Sequence, residues 1–242
     1  MDKLIPFCVW PEVKHYSPWM VKCNMDVDKV LEVAMVDFLM ISSIFKKFSE
    51  AMDEPLIAME SKNISISVKE LQYMDAFSQK LNHIMDLNKM LEERSREPGH
   101  KTDHAGFIFK LNYLQAVVAR NDFRFTVTDL KKNLHELHDH IIEVTKLDFN
   151  EKAYFKHFDE VMEGMDWLIA NLKEMMEKRL KESPLDPAVK QEVVAVSDFY
   201  SMDSERYVLV WLSNHPEGDE EEIIKLYEGD GFNRVEEEIE LF

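Results

Sequence analysis

The chain has 242 residues and a formal net charge of −18, which repels phosphate backbones and anionic lipid surfaces and so argues against nucleic acid and membrane as partners. Only 6 glycines and 8 prolines stand among abundant Leu, Met, Glu and Lys, a balance that favours helix over sheet. Cys8 and Cys23 are too few for a disulfide framework, and with no leader pattern and no apolar run of ~20 residues the chain reads as cytoplasmic.

Residues 1–24 carry Pro6, Pro11 and Pro18 among Phe7, Trp10, Tyr16 and Trp19, and read as an extended arm whose aromatics pack onto the domain. From Asp26 or Asp28 as N-cap, apolar positions Val30, Val33, Ala34, Phe38, Ile41, Phe45 and Phe48 recur at helical spacing and predict a helix to about Met59. Ser67 and Glu70 form a capping box ahead of a second helix, about Val68 to Arg94, which Pro98-Gly99 ends. A third helix starts near His104 or Ala105 and runs some 40 residues to Val144, with Thr126–Asp129 as its expected interruption. A fourth, Asn150 to Lys181, buries Tyr154, Phe158, Val161, Met165, Leu168, Leu172 and Met175.

One more mixed segment, Val193 to Leu212, is expected to pack on these helices. Beyond Asn214 the composition changes. Residues 217–242 hold 11 acidic side chains against Lys225 and Arg234, which predicts a tail that is disordered alone. The expected architecture is an all-α antiparallel bundle of four or five long helices, in three regions: the arm 1–24, the bundle 25–213 and the acidic tail 214–242.

The second helix carries the most unusual surface. Leu71, Met74, Phe77, Leu81 and Ile84 form its apolar stripe, and beside them Gln72, Asp75, Gln79, Asn82 and Asp86 step by three and four along one flank. Solvated helix faces are mostly Glu and Lys. This one is rich in amides, which carry no charge and can both donate and accept hydrogen bonds.

The pattern Asp75-Ala-Phe-Ser-Gln79, the helical architecture and the acidic tail ending in Glu240-Leu241-Phe242 together resemble the CheZ-type chemotaxis phosphatases. The resemblance implies that Asp75 and Gln79 are the catalytic pair. Gln79 would orient a water in line with the aspartyl phosphate of a CheY-like response regulator, and Asp75 would pair with a lysine beside that site. It also implies that Mg²⁺ sits on the regulator, with no cofactor bound by this chain, and that a terminal segment with Ile239, Leu241 and Phe242 docks the phosphorylated partner. Gln72 and Asn82 flank the pair as partner-binding residues. Gln115, at comparable depth on the third helix if the two helices pack antiparallel, is a third candidate.

Ser78 stands where that family has glycine before the Gln, and the chain has enough helices to form a bundle by itself, so homodimerisation stays open. Similar bacterial signalling proteins share the Leu71-Gln72-Tyr73-x-Asp75 style of motif, a segment like Leu114-Gln115-Ala116, and an echo in Tyr200-Ser201-Met202-Asp203-Ser204-Glu205-Arg206. A non-enzymatic adaptor using the same flank and tail is the competing reading. Two other constellations are set aside. His135, His138 and His140 with Asp139 make at most one face pair, so no metal is expected. His83 lacks the lysine and glycine that usually follow a phosphotransfer histidine.

Overall fold

The computed structural model describes residues 13–51, 72–90, 93, 105–148, 150–182, 200 and 202–228. It is all-α. Helix α1 spans Val13–Ala51, α2 residues 72–90, α3 Ala105–Thr145, α4 Glu151–Tyr154, α5 Lys156–Glu182, α6 Asp203–Asn214 and α7 Glu220–Glu228. Among the described residues no helix is long and apolar enough to cross a membrane.

The described residues fall into two compact units, and α1, α2, α3 and α5 each contribute to both. Unit 1 takes those up to Val27, those within Lys80–Ala119 and those from Trp167 on. Unit 2 takes those within Asp28–Gln79 and Arg120–Asp166.

Unit 2 is packed by rings. Phe123 lies 4.7 Å from Phe77, 5.8 Å from Phe158 and 6.3 Å from Phe38 between centroids, and Phe38 meets Phe158 edge-on at 5.5 Å. The pairings fix chain direction: Arg120 bonds Asp166, and Lys131 lies over the ring of Phe158, so α3 and α5 run antiparallel. At Gly164 an added Cβ would stand 2.6 Å from Val30 Cγ2, which shows how closely α1 and α5 approach.

Unit 1 is organised around the first half of α3. Every residue from Gly106 to Ala119 is buried, which explains why Phe107–Ala119 shows no polar face. Three of its polar side chains find a partner: Lys110 Nζ donates to the Pro216 carbonyl at 2.5 Å, Asn112 Nδ2 to Asn88 Oδ1 at 2.9 Å, and Gln115 Nε2 to the Glu205 carbonyl at 2.9 Å, whereas the buried Tyr113 hydroxyl makes no hydrogen bond. Asn88 passes the chain on to Asn24 Oδ1 at 2.9 Å, so amides link α3, α2 and α1.

Several expectations are corrected. The first helix begins at Val13, so residues 13–24 are helical and not an extended arm; residues 1–12 lie outside the described residues. Pro18 is only the sixth residue of α1, and the apolar repeat continues upstream through the buried Val27 and Cys23, which leaves Asp26 and Asp28 mid-helix instead of capping it. The third helix runs 41 residues, as its spacing predicts, and the interruption expected at Thr126–Asp129 does not occur. Thr128 there turns its hydroxyl back to the Arg124 carbonyl at 2.8 Å, which leaves the backbone ladder intact.

The fourth helix is divided at Phe155. Asn150 caps α4 by accepting from the Lys152 N–H, but Phe155 has no side-chain acceptor for α5. Asp37 of α1 supplies it, its Oδ2 accepting from the His157 N–H at 3.0 Å. This accounts for a fully buried carboxylate in an apolar stripe.

The acidic tail is folded in its first part. Asp219 and Glu222 form a reciprocal capping box, with Glu222 N–H to Asp219 Oδ1 at 3.0 Å and Asp219 N–H to Glu222 Oε2 at 3.3 Å, and Ile223 of α7 is fully buried. Gly218 is required just before it, because a Cβ there would run into the Trp211 ring. Residues 229–242, including Ile239, Leu241 and Phe242, lie outside the described residues.

Candidate functional site

Helix α2 separates its two faces as its sequence dictates. Met74, Phe77, Leu81 and Ile84 are buried, whereas Gln72, Asp75, Gln79 and Asn82 are all exposed and Asp86 is half-buried. Asp75 and Gln79 stand one turn apart, roughly 6 Å between Cβ atoms, on the solvent side of the helix. Tyr73 lies 6.1 Å from Phe77 between ring centroids, which anchors the start of the stripe to the aromatic core of unit 2. The arrangement can present a carboxylate acceptor and an amide donor–acceptor to a partner without any change in the fold.

Gln115 is not part of that surface. It is buried in unit 1, and its amide is spent on the Glu205 carbonyl. A buried polar group is retained where it is hydrogen-bonded, and the acceptor at the start of α6 supplies the reason for an amide at this depth.

That bond leads to a cluster that sequence reasoning did not assemble. His83 Nδ1 lies 2.7 Å from Glu205 Oε1, with the histidine side chain 18% exposed and the glutamate 1%. Tyr200, fully buried, packs against the imidazole at 5.8 Å with an interplanar angle of 82°. Arg206 Nε donates to the Tyr200 carbonyl at 3.0 Å and so fastens residue 200 to α6. Two of the segments singled out in the sequence, Leu114-Gln115-Ala116 and the echo from Tyr200 to Arg206, are therefore brought together. The available signal was the position of Glu205 in a first helical turn that otherwise reads as surface.

The electrostatics follow from this packing. The hydrogen bond that the His83 ring donates to the Glu205 carboxylate raises the His83 pKa, against an opposing desolvation. Because the folded state holds the proton more tightly, the pair contributes stability that is fully present below about pH 6.5 and is lost as pH rises through the raised value. Burial pushes the Tyr200 phenol well above its usual range, and the nearby Glu205 carboxylate adds to that. Gln115 is close enough to oppose the shift, but its geometry leaves the phenol without a full hydrogen bond, and Glu205 Oε2 also has no partner.

A second polar feature of unit 1 is a cavity of about 240 Å³ lined by Lys110, Tyr113, Lys173 and residues 217–221. Desolvation lowers the Lys110 pKa while Glu217, Asp219 and Glu222 counteract it, and Lys173 pairs with Glu220 at 3.2 Å. The acids of the tail thus neutralise the two lysines. No group of three or more His, Cys, Asp or Glu that could hold a metal ion occurs among the described residues. In comparisons with known proteins, no family model, no curated protein and no solved structure matches the chain.

Proposed function

We propose that the chain is a response-regulator phosphatase of the CheZ type, with Asp75 and Gln79 as its working pair. The observation that supports this reading is the exposure of both side chains, one turn apart, on a helix whose opposite face is locked into the core. An aspartyl phosphate already has its carboxylate leaving group and the regulator's Mg²⁺, so hydrolysis lacks only a positioned water. Gln79 is too weakly basic to take a proton. Its amide oxygen can accept from the water and its nitrogen can donate to a phosphoryl oxygen, which holds the attacking oxygen in line. As the water oxygen bonds to phosphorus, the bond to the aspartyl oxygen breaks, the carboxylate leaves with the electron pair, and the water's proton goes to the released phosphate. Asp75 holds the partner in register by pairing with a lysine beside its active site, and Gln72 and Asn82 extend the contact.

The test is release of phosphate from a panel of phosphorylated regulators. The full chain accelerates the decay of at least one, and Gln79→Ala removes about 100-fold or more of that acceleration while leaving binding in place. If no regulator decays faster with the wild-type chain, the phosphatase reading fails. A second reading, a non-enzymatic adaptor, is favoured by the exposed apolar residues Met35, Val36, Leu39 and Met40 on one side of α1. It would stand if the chain bound a regulator without affecting its phosphate.

A further inference from the structure

The proposed hydrolysis leaves His83 unused. Its Nδ1 faces a carboxylate that is itself buried, so in the neutral ring the proton sits on Nδ1, shared with Glu205 Oε1 at 2.7 Å, and the lone pair is left on Nε2. The His83 side chain is 18% exposed, and its Nε2, which makes no hydrogen bond, is not among the fully buried unpartnered side-chain atoms, so Nε2 meets solvent. Tyr200 fixes the ring from one flank by its edge-to-face contact. Glu205 is fixed in turn: it lies in the first turn of α6, where the helix dipole favours negative charge, and its backbone carbonyl is held by Gln115.

A carboxylate that orients an imidazole and raises the basicity of its far nitrogen is how proteins prepare a histidine for nucleophilic or ligand duty. Ligand duty is not supported here, because no third donor stands nearby among the described residues. Acyl transfer would need several donors converging on an oxyanion, and of the cluster's two unpartnered buried atoms one is an acceptor, Glu205 Oε2, which leaves the Tyr200 hydroxyl as a single donor. Phosphoryl transfer makes a smaller demand, because a donor that carries its own Mg²⁺ neutralises the charge and asks only for an aligned nucleophile.

Although His83 lacks the lysine and glycine that usually follow a phosphotransfer histidine, its pairing with a buried carboxylate outweighs that pattern, and we infer that its Nε2 is a phosphoryl acceptor for acyl phosphates. The Nε2 lone pair forms the bond to phosphorus as the bond between phosphorus and the acyl oxygen breaks, and the carboxylate departs with that electron pair. The positive charge placed on the ring is relieved as the Nδ1 proton moves toward Glu205 Oε1. This goes beyond the phosphatase reading and uses none of its residues.

The experiment incubates the full chain with acetyl phosphate and Mg²⁺ and follows intact mass and ³¹P NMR. One phosphoryl group is gained, labile to acid and stable to alkali, with an NMR correlation that places it on Nε2. His83→Gln abolishes the gain and Glu205→Gln slows it about tenfold or more. His135→Gln, which alters an exposed histidine of α3, leaves it unchanged. Circular dichroism and thermal melts establish that each variant is folded. No incorporation into the wild-type chain, full incorporation into folded His83→Gln, an Nδ1 adduct, or a Glu205→Gln rate equal to wild type would each overturn the inference. Because acetyl phosphate needs no regulator, failure here is distinct from failure of the hydrolysis assay.

Discussion

In unit 2, Phe38, Phe77, Phe123, Phe155 and Phe158 make a continuous set of ring contacts. In unit 1, Asn24, Asn88 and Asn112 hydrogen-bond in series across three helices. Ring packing is large in area and weakly directional, so it tolerates small shifts of one helix against another. An amide chain contributes less energy per residue but has one satisfactory geometry, because a displaced link leaves its neighbours buried without partners. The aromatic unit is thus built for bulk stability and the amide unit for a unique register, and the exposed Asp75–Gln79 pair belongs to the first while the His83–Glu205 pair belongs to the second.

The comparison can be broken at its strongest point. Phe123 touches three other rings of the set, and Phe123→Ala is expected to lower unfolding free energy by about 3–5 kcal/mol, read from the midpoint of urea denaturation. Asn88→Ala comes next, at about 2–3 kcal/mol, because it removes the short bonds of both Asn24 and Asn112 and leaves them only their long ones, to the Met85 carbonyl at 3.5 Å and the Ile84 carbonyl at 3.4 Å. Replacing all three asparagines by leucine should recover much of that loss. A triple variant as unstable as the single one would show that the amides supply energy and not only register.

The smallest effect tests Asp37, the buried carboxylate among the described residues of the aromatic unit. Burial raises the Asp37 pKa, while the His157 N–H and the nearby cations work against the shift. Asp37→Ala should cost about 1–2 kcal/mol through the lost cap, whereas Asp37→Asn keeps an acceptor oxygen and costs less than about 0.5 kcal/mol or is stabilising at neutral pH. The sign with pH follows from the raised value: as pH falls through it toward 3.8, the wild type gains stability relative to Asp37→Asn. Parallel curves for the two proteins from pH 7 to 4 would show that Asp37 is not strained by its charge.

The helical periodicity of the chain carried most of this fold. The stripes of α2, α3 and α5 are buried where their spacing predicts, and Asn150 caps where its side chain allows. Legibility failed where local chemistry was outvoted. Pro18 argues for extended chain, yet one missing N–H near a helix start is outweighed by a stripe that continues through Cys23. The mean acidity of the tail hid the Asp219–Glu222 capping box and the single buried Ile223 that hold α7 in place.

For the site, the exposure of Asp75 and Gln79 was readable because polar residues alternated with a clear apolar stripe on one helix. The His83–Glu205 pair was not, since its members lie 122 residues apart and no local pattern links them.

The cap that Asp37 provides for α5 also bears on the order in which the chain folds. Bonds inside α3 join neighbours and can form as soon as the helix nucleates. The bond from His157 to Asp37 joins residues 120 apart, so it can form only after the intervening chain has been drawn together and the entropy of closing that loop has been met. That bond, and not the turn it caps, is therefore expected among the late events of folding, and protection of the His157 amide proton would report the arrival of α1.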